Sequence, residues 1–249
     1  MVAVWINKRL PRVFKHDKID LGYTDMIAHT TENGRVYEHP VERKNYPSIT
    51  TVLSILSEDS IAAWRKKVGD KEANKVSEIA SRRGTAVHEF IEKYIDNTSM
   101  EDLKAEFNPN IIQSFLTVKD VLDERIGTVF GQELPLYSDH LGVAGRVDCV
   151  AEFDGKLSII DFKTSRKPKK RNWIGQYFMQ EAAYAIMWEE RTGMPITQLV
   201  TIVSVDEMTF NGSPGQQVFV EHRDTHTTKL LETIDEYKQR DQVSNALFA

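Results

Sequence analysis

Cysteine is almost absent from this sequence: Cys149 is the single one among 249 residues. One cysteine cannot form an intramolecular disulfide, and it excludes zinc and iron–sulfur sites built on four cysteines. The sequence also lacks an apolar run long enough to span a bilayer, an internal repeat and a low-complexity linker. We therefore expect a soluble intracellular protein that has no membrane partner.

The sequence also has no excess of positive charge: it contains 32 Lys and Arg residues and 37 Asp and Glu residues, which gives a net charge of −5. This balance argues against a surface coated in positive charge, although screening over roughly 8–10 Å still allows a locally basic channel. The first eighteen residues are basic but lack serine, and Asp17 and Asp20 lie close by. Import into a mitochondrion is therefore the less expected location.

The spacing of apolar residues alternates between helical and strand periods along the chain. Residues 1–46 look irregular with some strand character, and Ser48 or Thr50 is suited to cap a short helix. Helical periods occur in "ANKVSEIASRRGTAVHEFIEKYI", "IIQSFLTVKDVLDER", "WIGQYFMQEAAYAIMWEERTG" and "TTKLLETIDEYKQR", with a polar break at "DNTSMEDLKAEFNPN". Strand periods occur in "TVFGQELPLY", "VAGRVDCVAEF", "KLSIIDFKT", "TQLVTIVSVD" and "GQQVFVEHR". This order predicts an α/β fold with a central mixed β-sheet flanked by helices.

A two-residue turn at Asp154-Gly155 joins the two central strands. Counting back from a tight turn places Asp148 opposite Asp161, with side chains about 5 Å apart. Lys163 shares the face of Asp161 because strand side chains alternate. One face of the hairpin is therefore expected to present two carboxylates and an amine.

Two interpretations of this face are open. Lys163 could simply neutralise Asp161 at the edge of a strand. The second carboxylate in register favours another interpretation, because like charges directly opposite destabilise a hairpin unless a cation offsets them. A hard divalent cation prefers oxygen ligands. A metal beside an ammonium group suits the hydrolysis of a phosphodiester.

A run of basic residues follows the strand that carries Asp161 and Lys163. We expect it at the mouth of the site, where it would hold a phosphate backbone, although a solvated loop is the plainer alternative. Its members are Arg166, Lys167, Lys169, Lys170 and Arg171.

The helix of residues 73–95 carries His88, and Gly84 lies four residues earlier on the same face. A glycine within a helix costs about 1 kcal/mol relative to alanine. Its presence makes sense where a metal or substrate must approach His88, with Arg82 and Arg83 beside it. A satisfied core histidine is the alternative.

The later helix carries a stripe at i, i+4 spacing: Gln176, Gln180, Tyr184 and Trp188. Amides and a phenol suit a sugar–phosphate surface, and the ring of Tyr184 is expected to be available for base stacking. Trp188 and Tyr184 could instead belong to the core.

Five short motifs in this order resemble the PD-(D/E)xK nuclease superfamily in its RecB-like branch: "GTAVH", "GQELPL", "GRVD", "DFKT" and "QEAAY". The wider stretches around them are similar to the mitochondrial genome maintenance exonucleases and their bacteriophage-encoded relatives. The resemblance implies a single nuclease domain over 1–249 with a restriction-endonuclease-like core. In it, 1–72 is an irregular and helical N-terminal part, 73–192 the catalytic core, and 193–249 the C-terminal strands and helix.

The resemblance also assigns roles to residues. The metal ligands would be His88, Asp148, Asp161 and the backbone carbonyl of Phe162. Lys163 would be catalytic together with the two aspartates, and Glu133 would be an accessory acid near the metal. The DNA-binding candidates are Gln176, Gln180, Tyr184, Arg82, Arg83, Ser48, Arg166 and Lys167.

The activity implied by the resemblance is Mg²⁺- or Mn²⁺-dependent exonuclease cleavage of single-stranded DNA. Other RecB-like members hold an iron–sulfur cluster on four cysteines, which this chain cannot do. The alternatives are a structure-selective or double-strand nuclease of the same superfamily, and an inactive DNA-binding module. We expect a monomer, and leave open other replication or recombination proteins as partners.

Overall fold

The computed structural model describes residues 12–208 and 214–247. The strands are β1 (Ala28–Thr31), β2 (Gly34–Glu38), β3 (Asn45–Pro47), β4 (Ile126–Ser138), β5 (Val143–Phe153), β6 (Lys156–Ser165), β7 (Gln198–Met208) and β8 (Pro214–His222). The helices are α1 (Ile49–Ser54), α2 (Glu58–Val68), α3 (Asp70–Ile95), α4 (Met100–Glu106), α5 (Pro109–Arg125), α6 (Gly175–Thr192) and α7 (Asp224–Leu247), with a 3₁₀ turn at Arg171–Trp173.

The main sheet has five strands in the order β4-β5-β6-β7-β8. Neighbours pair antiparallel except β6 and β7, which are parallel. A parallel pair needs a crossover connection, and α6 supplies it. The sheet is therefore mixed, as the order of elements predicted, and helices cover it on both faces.

The β5–β6 hairpin has the predicted register, with Phe153 paired to Lys156. Asp154 and Gly155 both have positive φ, 51° and 75°, which a primed two-residue turn requires at its two central positions. The sequence signal for this hairpin is confirmed.

Two apolar clusters lie on the opposite faces of the sheet. One joins α3 and α5 to the sheet and contains Ile160 and Phe162 of β6. The other joins α1, α6 and α7 to the sheet and contains Ile159. Because side chains alternate along a strand, Asp161 and Lys163 share the α6 face with Ile159. The catalytic-site candidates on β6 therefore point towards α6.

The N-terminal strands form a separate antiparallel sheet in the order β1-β2-β3. Tyr37 and Tyr46 of this sheet pack with Tyr137 and Ala144 of the main sheet. Ser48, directly after β3, also forms a backbone bridge with Ala144. The small sheet is thereby attached to the N-terminal end of β5, the strand that carries Asp148 at its centre.

Two helices were not predicted. Helix α4 lies in the segment interpreted as a polar break, where the Ser99 side chain accepts a hydrogen bond from the Asp102 N–H and Leu103 is buried. Helix α2 buries none of its residues and packs against α3. Helix α4 has only seven residues, too few to show an apolar period in the sequence. Helix α2 has no buried face, so no stripe of core residues marks it. Within the described ranges, no helix has both the length and the apolar character needed to cross a membrane.

Candidate active site

A cavity of about 740 Å³ opens between α3, α6, the β4–β6 part of the main sheet and the N-terminal sheet. Nine of the residues singled out from the sequence line it. They are Ser48, Thr50, Gly84, His88, Glu133, Asp148, Lys163, Gln180 and Tyr184. Residues from four separate parts of the fold thus converge on one concave surface, the usual setting of an active site.

Three of these side chains lie close enough together to hold a metal ion. One ligand atom each from His88, Glu133 and Asp148 lie within 4.8 Å of one another. The Nδ1 atom of His88 is 3.5 Å from Oδ2 of Asp148. An imidazole and two carboxylates are donors suited to a divalent cation such as Mn²⁺. Glu133 therefore belongs with the possible ligands as well as with the accessory acids.

Asp161 lies beside this group and is 1% exposed. It forms an ion pair with Lys163, and its Oδ1 accepts a hydrogen bond of 3.2 Å from the Gln180 amide. Burial raises the pKa of the Asp161 carboxyl to about 6, although the charge of Lys163 opposes this shift. Ligation of a metal by Asp161, and by the carbonyl of Phe162, stays a prediction.

The Lys163 ammonium is held between several groups. It lies 5.1 Å from the centre of the Tyr177 ring, and its side chain is 21% exposed. Burial opposes its charge, but the carboxylates of Asp161 and Asp148 outweigh burial and raise the Lys163 pKa above its usual value. Lys163 is therefore a cation that faces the cavity.

Glu133 has an unusual backbone, with a φ of 49°, in the left-handed region that non-glycine residues rarely adopt. Arg146 donates a hydrogen bond of 2.5 Å to its carbonyl. Burial, followed by the negative charges of Asp148 and Glu92, raises the pKa of Glu133 to about 7. Strained backbone held in place by its neighbours is common at functional sites.

The α6 stripe is only partly exposed to the cavity. Gln180 lines it, whereas Gln176 does not, and Trp188 is fully buried. Tyr184 is 2% exposed, and its ring packs so tightly on Gly145 that a Cβ there would lie 2.8 Å from Cε1. The expectation that the Tyr184 ring is available for base stacking is therefore wrong, because the protein core covers it.

Arg82 and Arg83 do not line the cavity. Arg82 pairs with Glu78 at 2.9 Å. Arg83 forms an ion pair with Asp206 and faces a different pocket, between α3, α5 and β7. The expectation that both arginines lie beside His88 at the site is corrected by these partners.

The basic run after β6 is also placed differently from the prediction. The Lys169 N–H donates a hydrogen bond of 2.6 Å to Gln217, and Arg171 pairs with Glu221, both on β8. This half of the run therefore lies along the far strand of the sheet and not at the mouth of the cavity. Arg166 and Lys167 are outside the cavity lining as well, so their contact with DNA stays a prediction.

Several residues at the site were missed in the sequence. Glu92, four residues after His88 on α3, lines the cavity, and burial together with the charge of Asp96 raises its pKa. Glu181, fully buried beside Gln180, accepts a hydrogen bond from Thr201. Helical spacing could have identified Glu92. No sequence signal pointed to Arg35 of β2, which also lines the cavity.

Comparison with known proteins identifies the family of this chain. The sequence pattern of the PD-(D/E)XK nuclease superfamily matches residues 62–247. Mitochondrial genome maintenance exonuclease 1 of Homo sapiens is 27% identical over 221 residues, which cover 83% of this chain and 62% of that protein. The protein of the same name in Xenopus tropicalis is 34% identical over 134 residues, covering 50% of this chain and 36% of that protein.

This chain thus spans less than two thirds of the length of these relatives. The crystal structure of a protein from Eubacterium rectale aligns over 64% of this chain and 65% of that protein's chain. The sequence identity is 12% and the TM-score 0.43, so this similarity adds nothing to the assignment. The superfamily pattern covers most of the chain, including all the residues of the His88–Glu133–Asp148 group and the Asp161–Lys163 pair. The chain belongs to the PD-(D/E)XK nuclease superfamily.

Proposed function

We propose that this protein is a Mg²⁺- or Mn²⁺-dependent exonuclease that hydrolyses single-stranded DNA from a free end. The observation that carries the proposal is the convergence of His88, Glu133 and Asp148 beside the Asp161–Lys163 pair in one cavity. These groups supply the ligands and the cation that phosphodiester hydrolysis needs.

A bound divalent metal supplies Lewis-acid polarisation of the phosphate and a more acidic water. His88, Glu133 and Asp148 would hold it, with Asp161 as the further ligand that the resemblance suggests. Lys163 keeps its proton beside two carboxylates, so its ammonium can orient the attacking water or stabilise charge that develops on the phosphate oxygens. Gln180 holds Asp161 in place through its amide.

The exonuclease part of the proposal is supported by the relatives, whose name describes an exonuclease. The preference for single strands comes from the resemblance of the sequence motifs. The net charge of −5 agrees with it, because broad adhesion to duplex DNA is favoured by a basic surface. The covered Tyr184 ring removes one argument for stacking, so the preference depends on the other two.

The test offers the wild-type protein equal nucleotide concentrations of three substrates in Mg²⁺: linear single strand, circular single strand and blunt duplex. We expect short products from the end-labelled linear strand, little from the other two, and none with chelator. Rapid nicking of the circle would indicate an endonuclease, and equal digestion of the duplex a double-strand nuclease. Binding of DNA without metal-dependent cleavage would indicate an inactive binding module.

A further inference from the structure

Three basic side chains line the catalytic cavity, and two of them already have acidic partners. Arg146 forms an ion pair with Asp25, and Lys163 forms one with Asp161. Arg35 is the exception: among the residues that the structure describes, no carboxylate forms an ion pair with it. Its side chain is exposed. Arg35 is therefore a cation in the cavity that remains available to an anionic ligand.

The backbone of Arg35 is held by two hydrogen bonds. Its N–H donates a hydrogen bond of 3.0 Å to the Thr51 hydroxyl. Its carbonyl accepts one of 2.8 Å from the Ser48 N–H. Ser48 in turn bridges to Ala144 of β5, the strand that carries Asp148. The N-terminal sheet thus holds the base of the Arg35 side chain in a set position relative to the main sheet.

The charge balance of the cavity leaves a role for such a cation. Four acidic side chains line it: Glu89, Glu92, Glu133 and Asp148. A phosphate backbone that enters is repelled by these groups wherever a metal does not neutralise them. A guanidinium matches phosphate oxygens with two parallel donors and stays charged at any working pH.

We propose that Arg35 binds a phosphate group of the DNA strand in the catalytic cavity, and that the N-terminal sheet thereby forms part of the substrate-binding surface. This proposal rests on the nuclease function proposed above. It adds a substrate contact from a part of the chain that precedes residues 62–247, the range that matches the superfamily pattern. Arg35 acts by holding the strand, while the groups on α3, β4, β5 and β6 face the reacting phosphate.

The test measures equilibrium binding of a fluorescein-labelled single-stranded oligonucleotide over a range of salt concentrations. Ca²⁺ replaces Mg²⁺, and the probe is checked to remain intact. The variants are Arg35→Ala and Arg35→Lys, with Arg43→Ala as the matched control. Arg43 is an exposed arginine between β2 and β3 that does not line the catalytic cavity.

Arg35→Ala is expected to weaken binding about tenfold, the size of a charge-assisted hydrogen-bonded contact. It should also lower the slope of log affinity against log salt by about 0.7, the value of one phosphate contact in a single strand. Arg35→Lys should keep the slope and lose part of the affinity, and Arg43→Ala should match the wild type. If Arg35→Ala does not fold, Arg35→Gln removes the same charge and replaces it in the comparison.

The proposal is overturned if Arg35→Ala keeps both wild-type affinity and slope, or loses affinity with an unchanged slope, since the second result indicates a general structural effect. An equal loss in Arg43→Ala overturns it as well. These results differ from a failure of the nuclease function. In that case the wild-type protein itself would not cut the oligonucleotide in Mg²⁺, whatever its affinity in Ca²⁺.

Discussion

The carboxylate of Asp148 accepts a hydrogen bond from the backbone N–H of Phe162, with 2.8 Å between Oδ2 and N. The last backbone pair between β5 and β6 is Cys149 with Ile160, so Asp148 and Phe162 lie just beyond the paired part of the hairpin. The side chain thus continues the link between the strands where backbone pairing stops. The same oxygen lies 3.5 Å from the His88 ring. These contacts fix the orientation of the Asp148 carboxylate, as expected of a candidate metal ligand.

Removing either aspartate of the hairpin should abolish cleavage. Asp148→Ala deletes an oxygen donor of the His88–Glu133–Asp148 group, and Asp161→Ala leaves the Lys163 ammonium without its partner. We expect a loss of activity of about a hundredfold or more in each. Asp161→Ala should also lower the free energy of unfolding by on the order of 3 kcal/mol, because it breaks a mostly buried ion pair. Activity assays and urea denaturation measure these two effects, and calorimetric titration shows whether Mn²⁺ binding is weakened as well. Near-wild-type cleavage by either variant would overturn the assignment of the hairpin to the active site.

Lys163→Ala should separate turnover from metal binding. Loss of the ammonium removes a charge that stabilises the reacting phosphate, so we expect activity to fall about a hundredfold while Mn²⁺ affinity stays within a few fold. Lys156→Ala is the matched control, since Lys156 is an exposed lysine on the same strand outside the cavity lining. Equal activity of the two variants would show that Lys163 only neutralises Asp161.

His88→Ala tests the ligand role of the histidine. The side chain is 27% exposed, so its removal should change the melting temperature little. Activity should fall most at limiting Mn²⁺ and recover partly as Mn²⁺ is raised, because a lost ligand weakens metal binding. His140→Ala, at an exposed histidine outside the cavity lining, is the control. A core histidine would give the opposite pattern, a large loss of stability with unchanged activity per folded molecule.

The raised pKa of Glu133 predicts a pH-dependent stability in the absence of metal. Its pKa rises from the usual 4.5 to about 7, mainly through burial. Between these values the folded protein keeps a proton that the unfolded chain has released, so the free energy of unfolding falls as pH rises through this window. Glu133→Gln cannot ionise and avoids that loss.

In chelator, Glu133→Gln should therefore melt at a higher temperature than the wild type near pH 8, and at about the same temperature near pH 5. Thermal denaturation across the pH range, followed by circular dichroism, measures the difference. A difference that does not vary with pH would contradict the raised pKa.

Gly84 tests whether open space beside His88 matters for the substrate. A Cβ at this position would meet the Thr164 hydroxyl at 3.9 Å, an ordinary contact. Gly84→Ala should therefore stabilise α3 by about 1 kcal/mol and keep activity. Gly84→Leu should keep the stability but lose activity, because its side chain extends into the cavity. Equal activity of the two variants would show that nothing needs to approach there.

Local sequence signals were enough to predict the β5–β6 hairpin and the helix that carries His88. The Asp154-Gly155 turn sets the β5–β6 register, and alternation along β6 places Asp161 and Lys163 on one face. These features depend on turn geometry and side-chain periodicity, which act over a few residues. The mixed sheet with flanking helices could be predicted from the order in which helical and strand periodicities of apolar residues follow one another along the chain.

Beyond what the family resemblance implied, the tertiary structure decided which distant side chains meet at the site and which do not. Glu133 joins His88 and Asp148 because β4 pairs with β5 and α3 packs on the sheet. Arg35 lines the cavity because the N-terminal sheet attaches beside β5. The basic run is drawn to β8 by Gln217 and Glu221, far along the chain. Such contacts join residues tens to more than a hundred positions apart, and the periodicity of a single segment carries no information about its partner in space.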